Sequence, residues 1–351
     1  MIASTNQKYR KILISAIIII LVAGLIISLH YYRRIYKANV SISRSGSVSL
    51  YIPTNSTWED IKEKLQSDTV LLDQRSFFWV AEQKNYPAHI HPGRYILNKG
   101  MNNNEIINKL RSGLQDPVDV VFHNIRSLPQ LAGRISKQIE TDSTALVAAM
   151  TDEKLMDSLG FTKETFPALF IPNTYEFWWN TSAYGFIHRM HREYQRFWNE
   201  DRRQKAKSVG LDPLEVITLA SIVDEETYYS DEMPRIAGVY INRLHKRYRL
   251  QADPTIKYAL GDFTIKRVLK KHLEIESPYN TYLHYGLPPG PISIPSISAI
   301  DAVLNYENHQ YLYFCAKDDF SGYHVFAKNL YQHNQNARKY QRALNRERIM
   351  K

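Results

Sequence analysis

Residues Asp212–Thr227 read DPLEVITLASIVDEET. Asp212 followed by Pro213 is a helix N-cap with proline at the first helical position, where a missing N–H costs nothing. From Val216 to Val223 the helix is apolar on most of its surface, so it belongs inside a core. It then runs into three consecutive acids, Asp224, Glu225 and Glu226. Burying charge is costly unless the charge is paired or used, and acids at a helix C-terminus oppose the macrodipole. Successive helical positions point about 100° apart, so these three side chains cannot act as one cluster. Glu226 continues the stripe formed by Leu219 and Val223. A carboxyl there should titrate above the ordinary range, as a general acid working near neutral pH requires. The alternative is a solvated acidic end to a core helix.

Downstream, Arg235, Asn242, Arg243, Gln251, Asp253 and Thr255 crowd polar groups into a helix–loop–helix from Pro234 to Leu260. Tyr279-Asn280-Thr281-Tyr282 then precedes Gly286–Ile292, GLPPGPI, a Pro/Gly run that fixes its own backbone. Tyr and Asn beside such a loop suit stacking against and hydrogen-bonding a sugar; the plainer reading is a rigid connector.

Ile12–Leu29, ILISAIIIILVAGLIISL, carries no charge and is near the lower length for a membrane-spanning helix. A cleaved signal peptide needs a small-residue cleavage site, whereas this run ends in His30-Tyr31-Tyr32-Arg33-Arg34, which suits an interface anchor. Basic residues nearly balance across the run, so the positive-inside rule does not set the orientation. The expectation is an uncleaved anchor, a polar linker from Arg33 to Gly46 and the remaining chain on the outer side. A chain starting near Gly46 is expected to be soluble and monomeric.

Val48, Leu50 and Ile52 alternate with polar neighbours as a half-buried strand does. Ser56-Thr57-Trp58-Glu59 has capping-box spacing and opens a helix to about Leu65. A helix near Ser76–Gln83, a strand Arg94–Leu97 and a helix Asn103–Arg111 closed by Gly113 follow. The order makes a small α+β module over residues 46–115. The elements lengthen over 116–351, with a helical stretch Leu128–Glu140, an aromatic-rich block Phe166–Trp179 and an amphipathic helix near Phe186–Trp198. The fold class is α+β.

A formal charge of +10 with 44% hydrophobic and 23% charged residues describes a globular chain. The charge is spread thinly, without zinc-finger or RNP patterns, so it reads as attraction to anionic lipid or polymer and not to nucleic acid. His89-x-His91 and His188-x-x-His191 have ligand-like spacing but no evident third ligand; no metal and no cofactor is expected. The lone Cys315 reads as a small buried hydrophobe.

The motifs above resemble, in order, those of the YceG/MltG-like endolytic murein transglycosylases. The family's A-S-I-V-E-K-E-T stands here as Ala220–Thr227, I-N-R-L as Ile241–Leu244, L-Q-x-D-P-T as Leu250–Thr255, Y-N-T-Y as Tyr279–Tyr282 and G-L-P-P-G-x-I as Gly286–Ile292. Leu169–Tyr175, LFIPNTY, is similar to the family's L-F-x-P-D-T-Y, and Tyr311–Phe314 with His324–Phe326 match its closing strands. The first acid of the signature is Asp224 here, its Lys is Glu225, and the Asp upstream is Asn173. The resemblance implies that Glu226 is the catalytic glutamate, and that Asn173, Tyr175, Gln251, Asp253, Thr255, Asn280 and Tyr282 contact substrate. It implies that the small module is LysM-like and glycan-binding. It implies non-hydrolytic cleavage of the MurNAc–GlcNAc bond to 1,6-anhydro ends, near the membrane, releasing or terminating new strands beside peptidoglycan synthases. Hydrolytic glycosidases need two carboxyl groups, and Asp253 is the other plausible one, which keeps a muramidase open. A non-catalytic glycan-binding scaffold is the third reading; it would be indifferent to Glu226→Gln.

Overall fold

The computed structural model describes residues 2–40, 46–67, 70–265 and 267–346. The chain divides into two compact units, Met1–Val118 with Glu176–Asn180, and Asp119–Tyr175 with Thr181–Lys351. The fold is mixed α+β, and among the described residues six strands form three two-stranded sheets.

The smaller unit opens with α1 (Ile2–Tyr36), whose span Lys8–Tyr36 is long and apolar enough to cross a membrane and leaves its apolar run exposed. β1 (Ser47–Ile52), α2 (Trp58–Ser67), α3 (Gln74–Gln83), β2 (Gly93–Asn98) and α4 (Asn103–Arg111) follow in the expected order. β1 and β2 pair antiparallel with Leu50 opposite Tyr95. Leu50, Ile52, Trp58, Ile61, Phe77, Tyr95 and Leu97 from these elements share one core with Ile106 and Leu110 of α4.

Two expectations shift here. The capping box of α2 is built one residue later: Thr57 Oγ1 accepts from the Asp60 N–H, and Asp60 Oδ2 accepts from the Thr57 N–H at 2.7 Å. The segment expected to be a linker is partly structured. Helix α1 continues through Arg33 and Arg34 to Tyr36, Asn39 is buried and Val40 is buried against Leu71; residues 41–45 lie outside the described residues. The tail of α1 is joined to the module: Asn103 donates to the Arg34 carbonyl at 2.8 Å, Tyr31 packs 5.3 Å from Trp79, and Ile35 packs on the module core.

The larger unit holds β3 (Val118–Val121), α5 (Leu128–Ile135), α6 (Ser143–Met150), α7 (Glu153–Ser158), β4 (Thr174–Phe177), α8 (Ala183–Phe197), α9 (Glu200–Val209), α10 (Pro213–Glu226), α11 (Met233–His245), α12 (Asp253–Leu260), α13 (Ile297–Leu304), β5 (Tyr313–Ala316), β6 (His324–Ala327) and α14 (Leu330–Arg346), β3 and β4 each crossing the division. α10 is its axis: all eight residues Val216–Val223 are buried, and α9, α11, α12 and α13 pack around it. The basic cluster at Arg202–Lys207 is the outer face of α9. Helix α5 is shorter than expected. Gln138, placed in the helix by sequence, turns its side-chain amide to the backbone N–H and carbonyl of Val121 at 2.8 and 3.0 Å.

Candidate active site

Helix α10 is set by its N-terminus. Asp212 Oδ1 accepts from the Leu214 and Glu215 N–H groups, and Glu215 reaches back to the Asp212 N–H at 2.9 Å, a complete capping box around Pro213. Ser221, sealed in mid-helix, donates to the Thr218 carbonyl and accepts from the Ile292 N–H at 3.0 Å. That bond pins the Pro/Gly run onto the helix. Gly290 is required in the run, because a Cβ there would lie 2.1 Å from the Glu164 carbonyl oxygen.

The three terminal acids go three ways. Asp224 accepts from the Ser296 N–H and hydroxyl at 3.1 and 2.6 Å, so it sits at the positive N-terminus of α13. Glu225 is held by both Nε and Nη2 of Arg126, at 3.0 and 2.9 Å. Glu226 Oε1 accepts from the Tyr240 hydroxyl of α11 at 2.5 Å. Oε2 takes no hydrogen bond from the described residues.

Burial raises the Glu226 carboxyl to about 7; the Tyr240 hydrogen bond opposes this, the Asp253 carboxylate adds to it, and Lys257 and Arg243 pull the other way. Desolvation dominates because the carboxyl, itself half-buried, follows the eight buried residues Val216–Val223. The Tyr240 phenol is pushed well above its ordinary range by burial and by the neighbouring carboxylate. At about 7 the Glu226 carboxyl is half protonated in neutral solution, so it can both give and take a proton there.

Glu226 opens on two clefts. One, of about 510 Å³, is lined by Asn124–Arg126, the segment Asp224–Tyr228 and Ser293–Ile294. The other, of about 330 Å³, is lined by Tyr240, Arg243, Gln251, Asp253, Tyr282, Tyr313, Phe314 and His333. Arg243 is nearly buried and is spent on backbone: its Nε donates to the Leu312 carbonyl at 2.6 Å and its Nη1 to the Arg249 and Leu250 carbonyls. It thereby clamps the turn that carries Gln251, whose φ is +50°, against β5.

Of the residues expected from sequence, Gln251, Asp253 and Tyr282 share the second cleft with Glu226. Tyr282 donates to Asp253 Oδ1 at 2.5 Å, and its phenol is raised by burial and by that carboxylate. Thr255 and Asn280 are fully buried. The Thr255 hydroxyl donates to the Ala252 carbonyl, and the Asn280 amide donates to the Leu273 and Ile275 carbonyls while its oxygen accepts from the Tyr282 N–H. Direct substrate contact, expected of both, is closed to them in this structure; they hold the Gln251 and Tyr282 turns in place. Asn173 and Tyr175 line neither cleft. Asn173 is exposed and caps the Thr174 N–H, while Tyr175 is buried on Phe122 with its hydroxyl on the Ile171 carbonyl.

Tyr240 and Arg126 were missed. Tyr240 sits in the apolar run Ala237–Ile241, and a buried phenol needs a partner, so a signal existed. Arg126 meets Glu225 across 99 residues, with no local cue. The histidine pairs are apart from the clefts: His89 Nδ1 bonds the Asn85 carbonyl, and His191 meets Phe161 edge-on. Cys315 is half-buried on β5, its thiol raised by desolvation.

The chain is similar to known proteins. The chain is 32% identical over 315 residues to an endolytic murein transglycosylase of Bacillus subtilis, covering 84% of this chain and 85% of that protein. It is 27% identical to an endolytic murein transglycosylase of Streptococcus pneumoniae, over 82% of this chain and 57% of that longer protein. The crystal structure of a YceG-like protein of Listeria monocytogenes is 30% identical, with a TM-score of 0.55 over 83% of this chain and 98% of that one. The YceG-like family matches residues 50–339. A half-buried carboxyl at the end of the A-S-I-V helix thus stands in a chain that belongs to the YceG-like family.

Proposed function

We propose that this chain is a membrane-anchored endolytic lytic transglycosylase acting on peptidoglycan, with Glu226 as its catalytic residue. One observation carries the reading: a single carboxyl, poised near neutral pH, lines two separate clefts. An enzyme that cuts inside a strand needs room for sugars on both sides of the broken bond. Protonated Glu226 gives its proton to the glycosidic oxygen between MurNAc and GlcNAc as the bond from that oxygen to C1 breaks. The carboxylate then takes the proton of the MurNAc 6-hydroxyl as O6 bonds to C1, leaving a 1,6-anhydro end and consuming no water. The nucleophile is already part of the substrate, so proximity replaces an activated water. Asp253, Gln251 and Tyr282 face the sugars in the second cleft.

The anchor reading is supported by the tail of α1. Tyr31, Arg34 and Ile35 belong to the packing and hydrogen bonding of the module, so removing them as part of a signal peptide would damage the fold. The β1–α2–α3–β2 order with an antiparallel pair supports a LysM-like, glycan-binding module held at the membrane surface. Nascent strands, and the synthases that make them, are the partners this placement suits.

A hydrolytic muramidase is the second reading, favoured by Asp253 in the same cleft as Glu226. Mass spectrometry of fragments from purified glycan strands separates the two. Ends lighter by one water than a hydrolytic product are expected; ordinary reducing ends would overturn the transglycosylase reading. Protease added to spheroplasts should degrade most of the chain, and full protection of the larger unit would rule out the outward placement.

A further inference from the structure

We propose that Tyr240 is the positioning residue of the catalytic carboxyl, its hydroxyl holding Oε1 of Glu226 so that Oε2 alone serves both proton transfers. The inference rests on the lytic transglycosylase reading, and it concerns a residue to which no role in that reaction has been assigned above.

The geometry is specific. Tyr240 is 2% exposed, and its ring meets Phe314 edge-on, so the phenol is held from the side by packing. Its hydroxyl donates to Oε1 from α11 while Glu226 hangs from the last turn of α10. A glutamate has three side-chain torsions and would otherwise explore several rotamers at a helix end. One bond from a rigid donor removes most of that freedom and fixes which oxygen is available. In the first step the proton on Oε2 goes to the leaving oxygen, and in the second the same Oε2 receives the 6-hydroxyl proton. Both transfers occur at one place, which suits a substrate that must not move between them.

The hydrogen bond also has a sign. A phenol donating to a carboxylate favours the charged form, so it offsets part of the burial that raises Glu226. The other groups facing the carboxyl are Arg243 beside Tyr240 on α11, Asp253 and Lys257 on α12, Tyr282 from its loop, Tyr313 on β5 and His333 on α14. In the first cleft, Asp224 and Glu225 are already tied to Ser296 and Arg126, and α13 contributes only serines to the lining. Arg243 is engaged with three carbonyls and Asp253 with Tyr282. Tyr240 is therefore the one described side chain that bonds the Glu226 carboxyl directly.

The test is Tyr240→Phe in the full chain in detergent, acting on purified glycan strands. Phe keeps the ring and its packing on Phe314, and circular dichroism checks the fold. The alkaline limb of kcat/KM, where the acid form of Glu226 is lost, should move up by about one pH unit, the size a charge-assisted hydrogen bond supports. Turnover should fall about tenfold with KM within about twofold, because orientation is lost and strand binding is not. A merely structural tyrosine would leave the limb where it is, and that result overturns the proposal. A second measurement follows against pH the carboxyl infrared band that Glu226→Gln removes. Its midpoint should rise in Tyr240→Phe; an unmoved midpoint also overturns the proposal. Wild-type products with ordinary reducing ends would defeat the transglycosylase reading alone, and the infrared midpoint would still decide the role of Tyr240.

Discussion

Each unit of the molecule gathers a knot of polar side chains, and the two knots are built on opposite plans. In the smaller unit Asn39, Ser76 and Asn103 are 3%, 4% and 1% exposed. Asn39 donates to Asn103 Oδ1 and to the Asp73 carbonyl and accepts from the Asp73 N–H; Asn103 donates to Ser76 Oγ and to the Arg34 carbonyl. Every group there is neutral and answered, and the knot ties the tail of α1 to α3 and α4. In the larger unit the half-buried Glu226 and the exposed Asp253 are chargeable, each held by one phenol, and Oε2 of Glu226 is left without a partner among the described residues. A buried polar group that is fully answered specifies structure, whereas one left partly unanswered and open to a cleft is held ready for something else. Burial and completeness of hydrogen bonding together tell the two apart.

The largest effect that should follow is catalytic. Glu226→Gln is nearly isosteric and should fold, yet lose at least the 10²–10⁴-fold that general acid–base catalysis supplies. Because one group acts twice, the loss should lie at or beyond the upper figure. Asp224→Asn and Glu225→Gln, whose carboxyls face Ser296 and Arg126, should cost far less. Fragment release from purified strands measures all three. A folded Glu226→Gln protein that still cuts would erase the contrast between the two knots.

The same substitution should raise stability. Glu226 is raised to about 7 in the folded protein from its ordinary 4.5. Between those values the folded state binds more protons than the unfolded, so stability contributed by this site falls as pH rises through the window. Glutamine removes that cost. Glu226→Gln should be the more stable protein above pH 7, by up to about 3 kcal/mol, with the gain shrinking to nothing below about pH 4.5. Thermal melts at pH 5 and pH 8 check it, and an equal difference at both pH values would mean that the carboxyl is not desolvated.

In the smaller unit the sign reverses. Asn103→Ala strips partners from Asn39, Ser76 and the Arg34 carbonyl at once and should destabilise by about 2 kcal/mol. The two units need not unfold together, so a transition moving to lower temperature in the full chain, with glycan cleavage retained at room temperature, is expected. A truncated chain beginning near Gly46, expected to be soluble and monomeric, lacks Asn39 and Val40 and should show the same weakening.

How much of this was legible depended on how local its causes are. Helix α10 announces itself through Asp212-Pro213 and the mostly apolar stretch Val216–Val223, and α4 through the Gly113 that closes it; both are signals that a few adjacent residues complete. The α2 cap was misplaced by one because Ser56/Glu59 and Thr57/Asp60 both have the spacing, and only the core demand on Trp58, Ile61 and Leu65 chooses. Glu226 was legible because apolar residues lead into it. The burial of Asn39 was not, since its partners lie 34 and 64 residues away. Thr255 and Asn280 were recognised as part of the site, but sequence does not tell a side chain that touches substrate from one that holds the turn beneath it. Tyr240 went unread because it stands in an apolar run where a ring packs, and its hydroxyl's partner is 14 residues off on another helix.

The smallest effect concerns Glu225, where the family pattern has lysine. Here the acid is paired bidentately with Arg126, whose guanidinium also lies 5.0 Å over the Phe263 ring and lines the first cleft. Glu225→Lys would set two cations face to face at the rim. The pair is partly exposed, so the coupling should be only about 1 kcal/mol, with a few-fold loss of activity from a displaced cleft wall. If the pairing matters as a pair, Arg126→Glu combined with Glu225→Lys should recover most of the loss, and a double-mutant cycle in thermal stability isolates the coupling. Salt should shrink it, since exposed charges are screened within about 10 Å at 0.1 M ionic strength. Additive single losses, with no recovery in the double variant, would show that the rim arginine acts on the strand itself and that Glu225 is a bystander.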